Sequence, residues 1–260
     1  MRKLVTALLL CAAPALADPP NVDVYVLGEV HDNPAHHLRQ AEIVGQVAPR
    51  AIVFEMLSPA QVAAAATADV QNPADLGDAY DWESGGWPPF AEYLPIFEAA
   101  PDAVIYGAAL PRAEVRRAIS DGAAAVFGDD AAAYGLIDLP AEIFDEMIEE
   151  QRLAHCDMLP PEMLPGMVQA QILRDAVFAR TILEALEQTG GPVVMITGNG
   201  HARRDRAIPA ILGRVAPAVS VWALGQFEGP PDPDEPFDAT AISPPVPRDD
   251  PCLVFTKGQG

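Results

Sequence analysis

The sequence predicts an α/β protein whose mostly parallel central sheet is flanked by helices, and two observations support this class. Five short apolar segments have the length and composition of buried strands: 22–27, 51–54, 103–106, 193–197 and 219–224. Longer segments with helix-start signals separate them, and the sequence contains no internal repeat. Because parallel neighbouring strands need a crossover connection, this alternation favours a parallel sheet.

The predicted helices occupy the segments between the strands. Proline stands where several of them begin, at Pro34, after Ser58 and at Pro111, which suits the first turn of a helix. We expect helices over 34–47, 58–67, from 111 onward, 140–157, 161–188 and 205–212. Those between the third and fourth strands form a helical insertion, and Gly190-Gly191 marks the end of the longest helix.

Two irregular segments need separate interpretations. Residues 69–95 contain Trp82 and Trp87 among glycines and prolines, which predicts a structured loop followed by a short helix. This loop is either a lid or a tryptophan-anchored cover of the core. Residues 229–251 contain eight prolines, which predicts an extended surface crossing before a last edge strand at 252–256.

The N-terminus predicts export. Residues 1–17 combine a positive start, a short apolar core and a small-residue cleavage site, so we interpret them as a signal peptide and 18–260 as one α/β domain. The apolar run is too short to span a bilayer. Lipidation at Cys11 is an alternative, but Leu10 is bulky where a small residue is expected. We predict a periplasmic protein, associated with a membrane only if Cys11 is lipidated.

The charge of the chain excludes several partners. Without Arg2 and Lys3, 14 basic residues remain against 37 acidic ones, a formal charge of −23. Such a surface repels phosphate backbones, so we expect no nucleic-acid partner and no adhesion to anionic membranes. Cys156 and Cys252 remain after cleavage and form either a disulfide or two buried free thiols.

Two similar phrases, Gly28-Glu29-Val30-His31 and Gly198-Asn199-Gly200-His201, each follow a predicted strand. Glycine at a strand end permits a sharp turn and a close approach of the backbone. The histidines would then lie at the carboxyl edge of the sheet, where open α/β folds bind their ligands. Glu55 directly follows the second strand. If the first two strands are neighbours, Glu29 and Glu55 converge beside His31.

Carboxylates and imidazoles in one place have three uses that spacing does not separate. They bind a divalent metal ion, they perform general acid–base chemistry, or they line a pocket for an iron-containing cofactor. Gln171, Arg174, Asp175 and Phe178 share one face of a predicted helix. Arg174 and Asp175 either orient His31 or His201 or form a solvated pair, and Arg203 is a candidate partner for a carboxylate or propionate. His155 and the pair His36-His37 are further candidates.

Several phrases resemble the ChaN-like haem-binding proteins. The resemblance begins with residues 28–33, His36-His37 and Phe54-Glu55-Met56. Further matches follow in order at Trp82 and Trp87, 110–112, 155–164, Gln171 with Arg174-Asp175, and 198–203, so that the similarity spans residues 22–226. This family belongs to a superfamily that also contains the Tiki and TraB proteins and the erythromycin esterases.

The resemblance implies an envelope protein of Gram-negative bacteria, often a lipoprotein, that serves haem or iron uptake. The family is reported to bind haem as dimers, so a homodimer is implied, and its haem ligands need not be the residues shared across the superfamily. The first hypothesis is therefore a haem- or iron-binding protein. Its cofactor-binding residues would be His31, Glu55, His155, Arg174, Asp175, His201 and Arg203.

The second hypothesis is a metal-dependent hydrolase, because the superfamily's enzymes use the corresponding positions in proteolysis or ester hydrolysis. Glu29, His31 and His201 would hold a divalent cation, with Glu55 as the general base. The catalytic residues would then be Glu55, His31 and His201.

Overall fold

The computed structural model describes residues 18–70, 72–250 and 252–253. The predicted signal peptide at 1–17 lies outside the described residues. Within the described part, no helix is both long enough and apolar enough to cross a membrane.

The sheet has six strands and all its pairings are parallel, which confirms the predicted fold class. The strands are β1 (Val24–Glu29), β2 (Ala51–Phe54), β3 (Val104–Gly107), β4 (Val193–Gly198), β5 (Val221–Phe227) and β6 (Ala239–Ile242). Their order is β3-β2-β4-β1-β5-β6. The two strands that end in the glycine phrases, β1 and β4, are therefore neighbours in the middle of the sheet.

Helices cover the sheet as the alternating pattern predicts. They are α1 (Pro34–Val47), α2 (Pro59–Ala65), α3 (Leu76–Ala79), α4 (Phe90–Ala99), α5 (Arg112–Asp121), α6 (Ala123–Phe127), α7 (Ala141–Ala154), α8 (Leu164–Thr189), α9 (Asn199–Ala202) and α10 (Ile208–Val215). The side chain of Asn33 caps α1, and Ser58 with Gln61 forms a capping box at α2. Gly190 ends α8 in a left-handed conformation, as predicted.

Each central strand contributes to two apolar cores because successive side chains point to opposite faces of a sheet. Val24 and Val26 pack in the core beneath α8, whereas Tyr25 and Leu27 pack in the core beneath α1 and α4. Strands buried on both faces are continuously apolar, which is the pattern from which they were predicted.

The segment around the two tryptophans covers one of these cores. Trp82 is buried, donates its indole N–H to the carbonyl of Pro88 at 2.8 Å, and packs against Phe90 and Tyr93. This agrees with the core-covering interpretation. Trp87 instead reaches the ring of His31, with 4.9 Å between centroids.

The proline-rich segment is the main error in the predicted architecture. Residues 229–251 include strand β6, which pairs with β5 at the sheet edge, so the segment is more than a surface crossing. Prolines flank β6 but none interrupts it, and an edge strand tolerates such neighbours. The edge strand predicted at 252–256 is not present at Cys252 or Leu253, and its remaining residues lie outside the described residues.

Cys156 and Cys252 form a disulfide, which settles the alternative that the sequence left open. Their Cα atoms lie 5.6 Å apart and the bond closes a loop with a sequence separation of 96 residues. It ties the end of the chain to the loop that follows α7. A crosslink over a loop of this length restricts the unfolded chain strongly.

We expect the double variant Cys156→Ser/Cys252→Ser to unfold with a free energy lower by about 4–5 kcal/mol, since the loop-closure entropy is lost from the unfolded state. Urea denaturation followed by circular dichroism measures this difference. Wild-type protein held in reductant is the matched control and should unfold with the double variant. Equal midpoints for the oxidised wild type and the double variant would contradict the prediction.

Candidate functional site

A cleft of about 910 Å³ lies at the carboxyl ends of the strands. Its floor contains His31, Glu55 and His201, and its walls come from the Trp82–Gly85 turn with Trp87, from α5 and from α8. This is the position that the strand-end phrases predicted. Ligands of open α/β proteins bind at this edge because the loops there are free to vary.

The register between β1 and β4 brings the two phrases together, since Glu29 pairs with Gly198. A Cβ atom at Gly198 would lie 2.9 Å from Nε2 of His31, so glycine leaves the space that the imidazole uses. A Cβ atom at Gly28 would lie 2.8 Å from the carbonyl oxygen of Leu224. Both glycines are needed for close packing at the strand ends.

The sequence predicted that Glu29 and Glu55 converge if β1 and β2 are neighbours. These strands are not neighbours, because β4 lies between them. The carboxylates still converge on His31. Its Nδ1 lies 2.7 Å from Glu29 Oε1, and its Nε2 lies 4.0 Å from Glu55 Oε2. The intervening strand ends in Gly198, which has no side chain to separate them.

Glu29 fixes the orientation of His31. The carboxylate is buried, faces Nδ1 of His31, and accepts a hydrogen bond of 2.6 Å from the hydroxyl of Tyr93. Because Nδ1 faces this carboxylate, the neutral imidazole carries its proton there and leaves the Nε2 lone pair free. The side chain of His31 is 33% exposed, toward the cleft.

Glu55 is held from the neighbouring strand end. Its Oε2 accepts hydrogen bonds from the hydroxyl of Thr197 at 2.6 Å and from the backbone N–H of Gly198 at 2.9 Å. Its Oε1 lies 3.5 Å from Nε2 of His201. The carboxylate therefore has fixed partners on both oxygens.

His201 lies between two carboxylates. Its Nδ1 contacts Asp175 Oδ1 at 2.6 Å, and the ring packs edge-on against Phe178 at 4.9 Å. Asp175 is buried on α8, where it orients His201, which is the role that the sequence suggested. Gln171, one turn earlier on the helix, lies 3.3 Å from the same imidazole.

These contacts shift the pKa values of the carboxylates and imidazoles at the cleft floor. Burial by itself would lower the pKa of His201, but the carboxylates of Glu55 and Asp175 outweigh it and raise the pKa to about 10. Burial opposes ionisation of Glu55, yet His201 and His31 hold the pKa of Glu55 well below its usual range. His31 and His37 likewise lower the pKa of Glu29, to about 2, against the effect of burial.

The pKa of His31 shifts in the same direction as that of His201. Burial alone would lower it, but the hydrogen bond to Glu29 and the charge of Glu55 raise the pKa of His31 above its ordinary value. On the cleft floor, each imidazole thus lies beside carboxylates whose charge favours its protonated form.

His36 and His37 do not line the cleft but contact Val30 and Glu29, which lie next to His31 in the chain. His36 is buried, and its Nδ1 accepts a hydrogen bond of 2.9 Å from the backbone N–H of Val30. His37 is buried against the ring of Tyr93, with 3.9 Å between centroids, and lies between Glu29 and Glu92.

Two residues proposed from the sequence do not line the cleft. His155 lies at the end of α7, where its Nδ1 is 2.8 Å from the carbonyl of Gln151. Arg203 forms ion pairs with Asp205 at 2.6 Å and with Glu235 at 3.5 Å. Arg203 follows the second glycine phrase and His155 was a further candidate histidine, but both have other partners outside the cleft. Arg174 does line the cleft.

The proposed metal set is not assembled as a ligand cluster. Among the described residues, no group of three or more His, Cys, Asp or Glu side chains has an arrangement that could hold a metal ion. Glu29 lies beneath His31 and Tyr93, and His201 is enclosed by Asp175 and Glu55, so these donors face one another. The joint binding of a divalent cation by Glu29, His31 and His201 therefore stays a prediction without such a cluster to support it.

Sequence reasoning missed several contributors to the site. Tyr93 lies far from both phrases in the chain and reaches Glu29 only through the packing of α4 on α1. Thr197 was read as the end of a buried strand, although a hydroxyl beside the glycine phrase was an available signal. Arg112 and Arg116 line the cleft from α5, and their spacing of four residues on a predicted helix was an available signal that they share one side.

The fold and the site together define a parallel α/β protein with paired carboxylate–imidazole groups at the end of its central strands. The chain belongs to the family described as "Haem-binding uptake, Tiki superfamily, ChaN", whose model matches residues 15–212. This confirms the resemblance seen in the sequence.

Among solved structures, the chain is similar to ChaN of Campylobacter jejuni, which is described as binding haem cofacially. That match has 20% identity and a TM-score of 0.65, and covers 83% of this chain and 86% of the other, which supports the same fold. A succinoglycan biosynthesis protein matches with 11% identity and a TM-score of 0.37, over 80% of this chain and 67% of the other. No curated protein matches the sequence.

Proposed function

We propose that this protein binds haem in the cleft, and that it is an exported periplasmic protein serving haem or iron uptake. The observation that carries the proposal is the orientation of the His31 imidazole and its exposure to the cleft. Its Nδ1 is held by Glu29 at 2.7 Å, and its Nε2 lies on the cleft side of a partly exposed imidazole. Histidine is a common axial ligand of haem iron, and ligating histidines are usually oriented by a carboxylate in this way.

The surroundings of His31 also fit a porphyrin. Trp87 packs beside its imidazole, and Phe178 lies across the cleft floor near His201, so apolar and aromatic groups are available to a flat ring. The cleft volume of about 910 Å³ lies within the range of small-molecule and cofactor sites. When bound, haem would supply an iron centre, and His31, Trp87 and Phe178 would hold and orient it.

Family membership and the N-terminal sequence support the wider role. The family description includes haem uptake, and the N-terminal segment of the chain has the features of a signal peptide. The disulfide is in keeping with an oxidising compartment such as the periplasm. The cofacial haem of the Campylobacter jejuni protein makes a haem-linked homodimer part of the proposal.

A haem titration of the mature protein, followed by absorbance and by light scattering, tests the proposal. We expect a saturable Soret shift at low micromolar haem and a change of mass to that of a dimer. Metal analysis of the protein as isolated accompanies it. Bound divalent metal at one per chain, with only non-saturable haem association, would overturn haem binding as the function.

A second function, hydrolysis, is favoured by one specific observation. The Glu29–His31 pair has the arrangement of a general base and its orienting carboxylate, with Nε2 facing the cleft. Glu55 suits the role of base less well than the sequence suggested, because its lowered pKa makes it a weak base. A screen of nitrophenyl esters and peptides tests this, and turnover that is lost in His31→Gln but kept in His155→Gln would support it.

A further inference from the structure

Within the part of the chain that the structure describes, three arginines on the wall of the cleft have no carboxylate partner. Arg112 and Arg116 lie one turn apart on α5, and Arg174 lies on α8, which packs against α5. Among the described residues, none of the three has a carboxylate oxygen within 4.0 Å. Of the other ten arginines in the described part of the chain, seven do have such partners and three, Arg50, Arg180 and Arg214, do not, but these three lie outside the cleft.

The feature that distinguishes these three arginines is that they line one cleft. The protein has 37 acidic residues against 16 basic ones, yet no carboxylate among the described residues pairs with any of them. Like charges that line one cleft are unfavourable unless an opposite charge lies among them. Their grouping is accounted for if a bound anion completes the site.

The acidic groups of the cleft do not supply that anion. Glu55 is already held by Thr197, Gly198 and His201. Asp81 lies on the opposite wall and is not within 4.0 Å of any of the three arginines. The cleft therefore combines a floor whose carboxylates already contact imidazoles, apolar side chains such as Trp87, and one cationic wall.

We propose that Arg112, Arg116 and Arg174 form an anion-binding wall that selects ligands with carboxylate groups on an apolar body. The inference rests on the proposed haem site and deepens it, because the wall would take the two propionate carboxylates of the porphyrin. A guanidinium group binds a carboxylate through two parallel N–H···O bonds, which gives geometric selectivity as well as charge.

The test uses iron-free protoporphyrin IX and its dimethyl ester, so that iron ligation contributes nothing. Binding to the full mature protein is followed through quenching of tryptophan fluorescence. The variants are Arg112→Gln/Arg116→Gln and Arg174→Gln. The control is Arg117→Gln, because Arg117 lies on the same helix, pairs with Asp121 at 3.8 Å and does not line the cleft.

We expect the wild type to bind the dicarboxylate at least ~10-fold more tightly than the diester, and each wall variant to lose about 10-fold toward the dicarboxylate alone. Arg117→Gln should match the wild type. The proposed wall is overturned if the wild type binds the dicarboxylate and the diester equally tightly. It is also overturned if the wall variants bind the dicarboxylate as tightly as Arg117→Gln does.

A separate probe distinguishes failure of the wall from failure of the haem proposal. Anilinonaphthalene sulfonate carries an anionic group on an apolar body and needs no porphyrin-sized site. If no porphyrin binds but the wall variants weaken this probe relative to Arg117→Gln, the haem proposal fails and the anionic wall stands. If the wall variants bind this probe as tightly as Arg117→Gln does, the proposed anion-binding wall is overturned.

Discussion

Replacing His31 by alanine is expected to weaken haem binding by at least about 100-fold and to remove the Soret shift of a histidine-ligated iron. The imidazole is the group of the cleft floor that combines an orienting carboxylate with exposure to the cleft. His201 is enclosed between Asp175 and Glu55. The spectrum of the haem complex and its affinity measure the effect.

Glu29→Gln gives a graded version of the same test. The amide keeps the size of the side chain but removes the charge that holds the Nδ1 proton of His31, so we expect affinity to fall by roughly 10–100-fold while some axial ligation remains. His155→Ala is the matched control, because it removes a histidine that does not line the cleft. A His31→Ala variant with the wild-type spectrum and affinity would exclude His31 as the ligand.

The stability of the protein is expected to fall on both sides of a maximum near pH 5–6, because the site contains ionisable groups shifted in opposite directions. His201 has a pKa raised to about 10 in the folded state. Its contribution is therefore fully present below the unfolded value of about 6.5 and is lost as the pH rises toward 10. At about 1.4 kcal/mol per pKa unit, a shift of this size corresponds to a loss on the order of 5 kcal/mol.

The acidic limb has the opposite cause. The pKa of Glu55 and that of Glu29 are lowered in the folded state, so their contributions are present above about pH 4.5 and are lost as the pH falls further. Urea denaturation at a series of pH values measures both limbs.

His201→Gln should be less stable than the wild type at pH 6 and should lose most of the alkaline limb, of which a part remains because the pKa of His31 is also raised. The acidic limb remains in part through Glu29 and His31. Arg204→Gln is a suitable control, since Arg204 is exposed and pairs with Asp238 away from the cleft. A wild-type stability that does not change between pH 6 and pH 10 would contradict the proposed charge network around His201.

The sequence alone was sufficient for the elements that depend on local pattern. The apolar runs of β1, β2 and β4, the capped start of α2 and the glycine stop of α8 all lie at or within two residues of the predicted positions. The helix predicted at 205–212 begins later, at Ile208, where Pro209 occupies its first turn. Local chemistry decides such features because the interacting groups are close in the chain.

The positions of the central candidate residues were also predictable, for a similar reason. A glycine phrase at the end of a buried strand requires a close approach of the backbone, and the polar residue beside it then has to lie at the sheet edge. His31, Glu55 and His201 were found in this way, and the helical spacing of Gln171, Arg174, Asp175 and Phe178 added Arg174 and Asp175. Arg203 follows the second glycine phrase and His155 was a further candidate histidine, but both lie away from the cleft and have other partners.

Only the tertiary structure decided how these parts meet. It placed β4 between β1 and β2, so that Gly198 leaves the gap in which His31 reaches both Glu29 and Glu55. It also joined Cys156 to Cys252, brought Tyr93 to Glu29, and set α5 beside α8 so that three arginines share one wall. These features arise from contacts between residues that are far apart in the chain, and strand order and packing set them rather than any local pattern.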